Sequence, residues 1–114
     1  MDSILTSIKK MLGIAEEYEQ FDADIIMHIN SVFMILTQLG VGPSEGFSIE
    51  DDSAIWSDFI QYSTNIESVK SYVYLRVKLL FDSTSLGSPV IEAMNRQISE
   101  LEWRLNIEAE STNT

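Results

Sequence analysis

The sequence predicts an all-α domain, a small bundle of about five helices. Three observations carry this. Apolar residues recur at helical spacing in five successive segments of the 114-residue chain. Gly13, Gly40 and Pro89 stand where those segments stop or start, as helix punctuation should. Strand-like alternation is confined to Phe47 and Ile49, inside one long loop.

Residues 2–12 form the first predicted helix. Ile4, Leu5, Ile8, Met11 and Leu12 share a face, and Asp2 or Ser3 caps the start. Lys9 and Lys10 suit the negative end of its dipole, and Gly13 ends it. An acidic stretch, 16–24, follows and contains Tyr18 and Phe21. Asp22 is the expected N-cap of the second helix, which runs to about Leu39. Its main stripe is Ile25, Ile29, Val32, Phe33, Leu36 and Leu39. Met27, Met34 and Ile35 lie outside that stripe. A helix apolar on more than one side is covered on more than one side, by its own bundle or by another subunit.

The loop 40–52 holds Pro43 and three of the five glycines. Phe47 and Ile49 suggest a short β segment within it. Connections this long are often functional. Ser53 is the expected cap of a short third helix with Ile55, Trp56, Phe59 and Ile60. Asn65 opens a fourth, to about Phe81, with a stripe of Ile66, Val69, Val73, Val77 and Leu80. A second stripe, Tyr72, Leu75 and Leu79, lies about 120° away by the 3.6-residue period. Together with Met27, Met34 and Ile35, it makes the candidate subunit interface.

The turn-rich linker 82–88 leads to Pro89, expected at the first helical position, and to a fifth helix ending near Glu108. Ile91, Met94, Ile98, Leu101 and Leu105 form one clean stripe, and Trp103 and Ile107 sit nearly opposite. Either a neighbouring helix covers that pair or the pair anchors a partner, since Trp beside Arg104 is a hot-spot combination. Residues 1–109 read as a single domain and 110–114 as a polar, flexible tail.

Composition excludes several functions. Eighteen acids against seven bases give a net charge of −11, unsuited to binding nucleic acid through its phosphates. Zero cysteines exclude disulfides, thiolate metal sites and a cysteine nucleophile. The opening residues place Asp2 first and the lysines after the apolar positions, the reverse of a signal peptide. The most apolar stretch, 25–39, is shorter than the ~20 residues a bilayer needs. A soluble, intracellular protein is expected, without membrane contact.

Catalytic motifs are weak. Gly42-Pro43-Ser44-Glu45-Gly46 fits G-x-S-x-G, but a nucleophile elbow needs a strand before the serine and a helix after it. His28, the one histidine, reads as a half-buried structural residue. Asp22-Ala23-Asp24 begins like a calcium loop, but Met27 stands where that loop requires glycine. Glu50-Asp51-Asp52 reads as a helix start. No enzyme activity, cofactor or metal is expected.

The chain resembles the small head–tail connector (head completion, or adaptor) proteins of tailed bacteriophages and prophages. The resembling stretches run in order along nearly the whole chain: Ser7 to Gly13 (SIKKMLG), Phe21-Asp22, His28 to Phe33 (HINSVF) and Leu36 to Gly42. They continue with Trp56-Ser57-Asp58-Phe59, Val69-Lys70-Ser71-Tyr72, Leu79-Leu80-Phe81-Asp82 and Glu100 to Asn106 (ELEWRLN). Their order and spacing together carry the likeness. One departure is the linker after Asp82, where similar proteins often place prolines directly.

The resemblance implies a non-enzymatic virion protein at the head–tail interface, present in the host cytoplasm during assembly. It implies a ring, a dodecamer when assembled, below the portal protein, with the next tail component as its other partner. DNA would pass through that ring without specific binding. The C-terminal helix would contact the portal, which points to Trp103, Arg104, Leu105, Asn106 and Ile107. Strong negative charge suits a channel along which DNA must slide. The candidate channel-facing acids are Glu45, Glu50, Asp51 and Asp52. An alternative from charge alone is a small acidic regulator or inhibitor that mimics nucleic acid and binds a basic host protein. Salt above ~0.5 M should abolish that kind of binding.

Overall fold

A computed structural model describes residues 3–59, 66–82 and 84–112. Among them the elements are α1 (Ile4–Leu12), α2 (Asp22–Gln38), α3 (Trp56–Phe59), α4 (Ile66–Asp82) and α5 (Ser88–Thr112). The fold is the expected all-α bundle. Ile60 and Asn65, expected to end one helix and cap the next, lie outside the described residues.

Helix α1 starts as its sequence dictates. The Ser3 hydroxyl accepts the Thr6 amide at 3.2 Å, and Gly13 closes the helix in the left-handed region. A single β-bridge, Ser3 to Ile55, ties this start to the segment before α3. Helix α2 corrects an expectation: its N-cap is Phe21, with no side-chain cap bond, and Asp22 is its first residue. The Asp22 carboxylate is engaged elsewhere, by Lys9.

Helix α3 starts later than Ser53 predicted. Asp51 Oδ1 accepts both the Ser53 amide and hydroxyl, at 2.9 and 2.6 Å, in a local turn. The helix opens instead with the Ile55 amide donating to Asp58 Oδ2 at 2.9 Å. In α5, Ser88 comes first and Pro89 second, and the Ile91 amide donates to the Gly87 carbonyl at 3.0 Å. A proline fits there because the first four amides have no intrahelical acceptor. The helix continues to Thr112, since no glycine or proline follows Pro89 to stop it.

Helix α4 is the centre of the bundle, packed against α1, α2 and α5. Its Val69, Tyr72, Val73 and Val77 are buried with Ile4 and Ile8 of α1 and Ile25, Ile29, Val32 and Leu36 of α2. An aromatic cluster extends this core under the 40–52 loop. Phe33 lies 4.6 Å from Phe59 between ring centroids and 5.2 Å from Phe47, and Trp56 flanks it at 6.4 Å. The Trp56 indole N–H donates to Ser7 Oγ at 2.9 Å, which satisfies its polar atom inside the core.

The 40–52 loop contains no strand, contrary to the alternation at Phe47 and Ile49. The Ile49 backbone pairs with a side chain instead. Asn30 Nδ2 donates to the Ile49 carbonyl at 3.0 Å, and Asn30 Oδ1 accepts the Ile49 amide at 2.7 Å. An amide side chain on α2 thus does the work of a partner strand. Ile49 and Val41 are buried, so both ends of the loop are fixed.

A polar triad locks α5 onto α4. Tyr72 Oη donates to Glu102 Oε2 at 2.7 Å, Arg76 Nε donates to Tyr72 Oη at 2.8 Å, and Arg76 also pairs with Glu102. Burial pushes the Tyr72 hydroxyl well above the usual tyrosine range, reinforced by Glu102. Burial also pushes Glu102 up, but hydrogen bonds from Tyr72 and Arg76 and the guanidinium charge outweigh it, leaving its carboxyl below 4.5. The triad's contribution through Glu102 is therefore complete above pH 4.5 and lost as pH falls through the lowered value. Glu102→Gln should reduce stability at pH 7 and flatten its decline below pH 4.5, as urea midpoints across pH would read. An unchanged acid slope would exclude this role.

Candidate functional site

The surface holds no built catalytic centre among the described residues. Ser44 is exposed and its hydroxyl reaches only Glu45, at 3.4 Å. The two glycines of that motif, Gly42 and Gly46, take positive φ and shape a loop turn. No three His, Asp or Glu side chains gather as a metal site among the described residues. The chemistry on offer is that of surfaces.

Two apolar faces are exposed, one on α5 and one on α2. On α5, Trp103 is 65% exposed and Ile107 is exposed beside it. Both stand nearly opposite the buried Met94, Ile98 and Leu105, so they point away from α4. On α2, Met27 and Met34 are exposed two turns apart, opposite the buried stripe of that helix. Arg104 flanks the α5 face and pairs with Glu100 at 2.6 Å.

The remaining expected contact residues are inside the molecule. Leu105 is buried in the core, and Asn106 Nδ2 donates to the Leu39 carbonyl at 3.2 Å, tying α5 to the end of α2. Tyr72 is fully buried in the triad. Leu75, Leu79 and Ile35 are partly buried and pack against the core. The second stripe of α4 is thus part of the chain's own interior. Helix α5 supplies its cover: period alone marks a face as buried without saying whose helix covers it.

The acidic residues Glu45, Glu50, Asp51 and Asp52 are all exposed. Hydrogen bonds from the Ser53 hydroxyl and amide hold Asp51 below the usual carboxylate range. The Asn30–Ile49 pair immediately before Glu50 fixes the backbone that presents them.

Charge is distributed one-sidedly. Lys9, Lys70, Arg76, Lys78 and Arg104 are each in an ion pair within the chain. Among the described residues, that leaves Lys10 and Arg96 as the bases outside such pairs.

Residues 4–112 match the family described as Phage connector protein. The chain belongs to the phage connector protein family. Comparisons with curated proteins and with solved structures find no match. The match covers every described helix of this phage connector, so the whole bundle is the family domain. Phage connectors are structural proteins, and assembly surfaces are the site to look for.

Two features of this connector escaped the sequence reading. Lys9 was read only as a base suited to the negative end of the α1 dipole, yet it is 2% exposed. The signal was there: four residues after Leu5 and three before Leu12, it falls on the apolar face. The other is Asn30, whose partner nineteen residues later has no sequence signature.

Proposed function

We propose that this phage connector assembles as a ring, a dodecamer, beneath the portal protein. There it extends the DNA channel and links the head to the next tail component. Its site of action is the head–tail interface of the virion, with assembly in the host cytoplasm. The role is structural, with no catalytic step. The observation that carries the reading is the family match over residues 4–112, on a fold with separate exposed faces.

Each face receives one role. Met27 and Met34 on α2 lie against a neighbouring copy. Methionine suits such a contact because its flexible thioether adapts to the opposing surface. Trp103, Arg104 and Ile107 on α5 dock on the portal, a Trp–Arg pair being a common anchor of interfaces. Glu45, Glu50, Asp51 and Asp52 face the channel, where like charge prevents DNA from sticking.

The deciding experiment is light scattering of the connector mixed with the portal ring of its own phage. A defined complex larger than the portal alone is expected, and it should survive 0.5 M salt if apolar faces carry it, since only about 4–5 Å of Debye length remains there. Trp103→Ala should abolish the complex while the free chain keeps its stability within about 0.5 kcal/mol. A chain that unfolds instead would make Trp103 a core residue. For the channel role, neutralising Glu50, Asp51 and Asp52 together should slow genome exit and leave ring formation intact. Unchanged exit kinetics would remove these acids from the channel.

A further inference from the structure

The segment between α1 and α2 is held more firmly than a connection requires. Lys9 Nζ lies 2.8 Å from the Glu16 carbonyl, 2.7 Å from the Tyr18 carbonyl and 2.8 Å from Asp22 Oδ1. Both carbonyls accept hydrogen bonds from it, and the carboxylate pairs with its charge. Burying an ammonium costs several kcal/mol before its partners offset it, and short connections close without one.

What this restraint fixes is a ridge of rings. Tyr18 is 44% exposed and Phe21 38% exposed. Their centroids are 5.6 Å apart, and Phe21 meets Phe81 of α4 edge-on at 5.3 Å. Leu80, exposed, precedes Phe81 on the last turn of that helix. Exposed apolar groups gathered into one patch mark interaction sites, where singly scattered ones do not.

The charge beside the ridge is of one sign. Glu16, Glu17, Glu19 and Asp24 are exposed, and none has a basic partner among the described residues. Lys10 is the one exposed base of the same stretch.

We propose that this ridge is a docking site for an arginine-bearing segment of a partner protein. A guanidinium stacks on the faces of Tyr and Phe, sheds its hydration more readily than an ammonium, and is drawn in by the surrounding carboxylates. Nucleic acid is repelled by those same carboxylates. A purely apolar partner would desolvate them without compensation. The rings of the ridge are not among the residues given to the ring and portal roles, so it adds a contact that those roles do not use.

The test uses the full chain, isotope-labelled, and a capped peptide with two arginines flanked by leucines. Its control is the same peptide with citrulline, the uncharged isostere. The arginine peptide should shift the ring resonances of Tyr18, Phe21 and Phe81 in NMR spectra. Citrulline should weaken binding about threefold or more, the equivalent of one lost cation–π contact at an exposed site. Tyr18→Ser and the triple variant E16Q/E17Q/E19Q should each do the same. The three glutamate side chains are exposed, so the triple variant reads binding without threatening the fold. Equal binding of both peptides, shifts confined to other residues, or no shifts at millimolar peptide would overturn the proposal. Ring shifts on dilution of the chain alone, with a falling solution mass, would assign the ridge to a second copy instead and also overturn it.

Discussion

Lys9→Met should destabilise the chain by about 3 kcal/mol, the loss expected when one partner of a buried ion pair is removed. The side chain is nearly the same length, so packing changes little. What changes is the electrostatics: Asp22, largely shielded from water, loses its cation, and the carbonyls of Glu16 and Tyr18 lose their donor. Urea denaturation measures the loss. Adding Asp22→Asn should return part of it, because the stranded charge is then gone. Amides between α1 and α2 should also exchange faster in the single variant, as the loop opens locally. A loss under about 1 kcal/mol would mean that water reaches the site and the lysine is dispensable.

The second large effect is at Gly42. Its φ is +87°, and a Cβ there would stand 2.5 Å from Phe59 Cε1 and 2.6 Å from Cζ. The ring cannot step aside, being buried against Phe33 and Phe47. Gly42→Ala should therefore cost about 3 kcal/mol, from left-handed strain of about 1–2 and overpacking of about 1–3. Gly46 separates the two causes. Its φ is +92°, yet a Cβ there meets nothing within 4 Å. Gly46→Ala should show the backbone cost alone, about 1–2 kcal/mol. Phe59→Leu should partly rescue Gly42→Ala in a double-mutant cycle. Equal costs at the two glycines would show that the ring yields.

The helices were legible because each depends on local spacing. The stripe from Ile25 to Leu36 and that from Ile91 to Leu105 are read directly from period, and both are the faces that α4 covers. What spacing cannot supply is the identity of the cover. Tyr72, Leu75 and Leu79 form a real apolar stripe, and all three pack against the chain's own core, with Tyr72 bonded to Glu102 of α5. Polar contacts between distant segments were illegible for a related reason. Asp22 is a good cap by type, but three-dimensional proximity gives it to Lys9. Asn30 has no helical partner because its partner is a loop backbone. Trp103 and Ile107 were left between two readings by the sequence, and in the structure Trp103 is 65% exposed.

The pairing of the basic residues within the chain leaves the acids in excess. Five of the seven are paired with acids of the same chain and the net charge is −11, so copies approaching one another repel. Their mutual repulsion reaches about 30 Å at 0.01 M ionic strength but only about 8 Å at 0.15 M. In dilute salt the chain keeps its own copies at a distance, and added counterions shorten that distance.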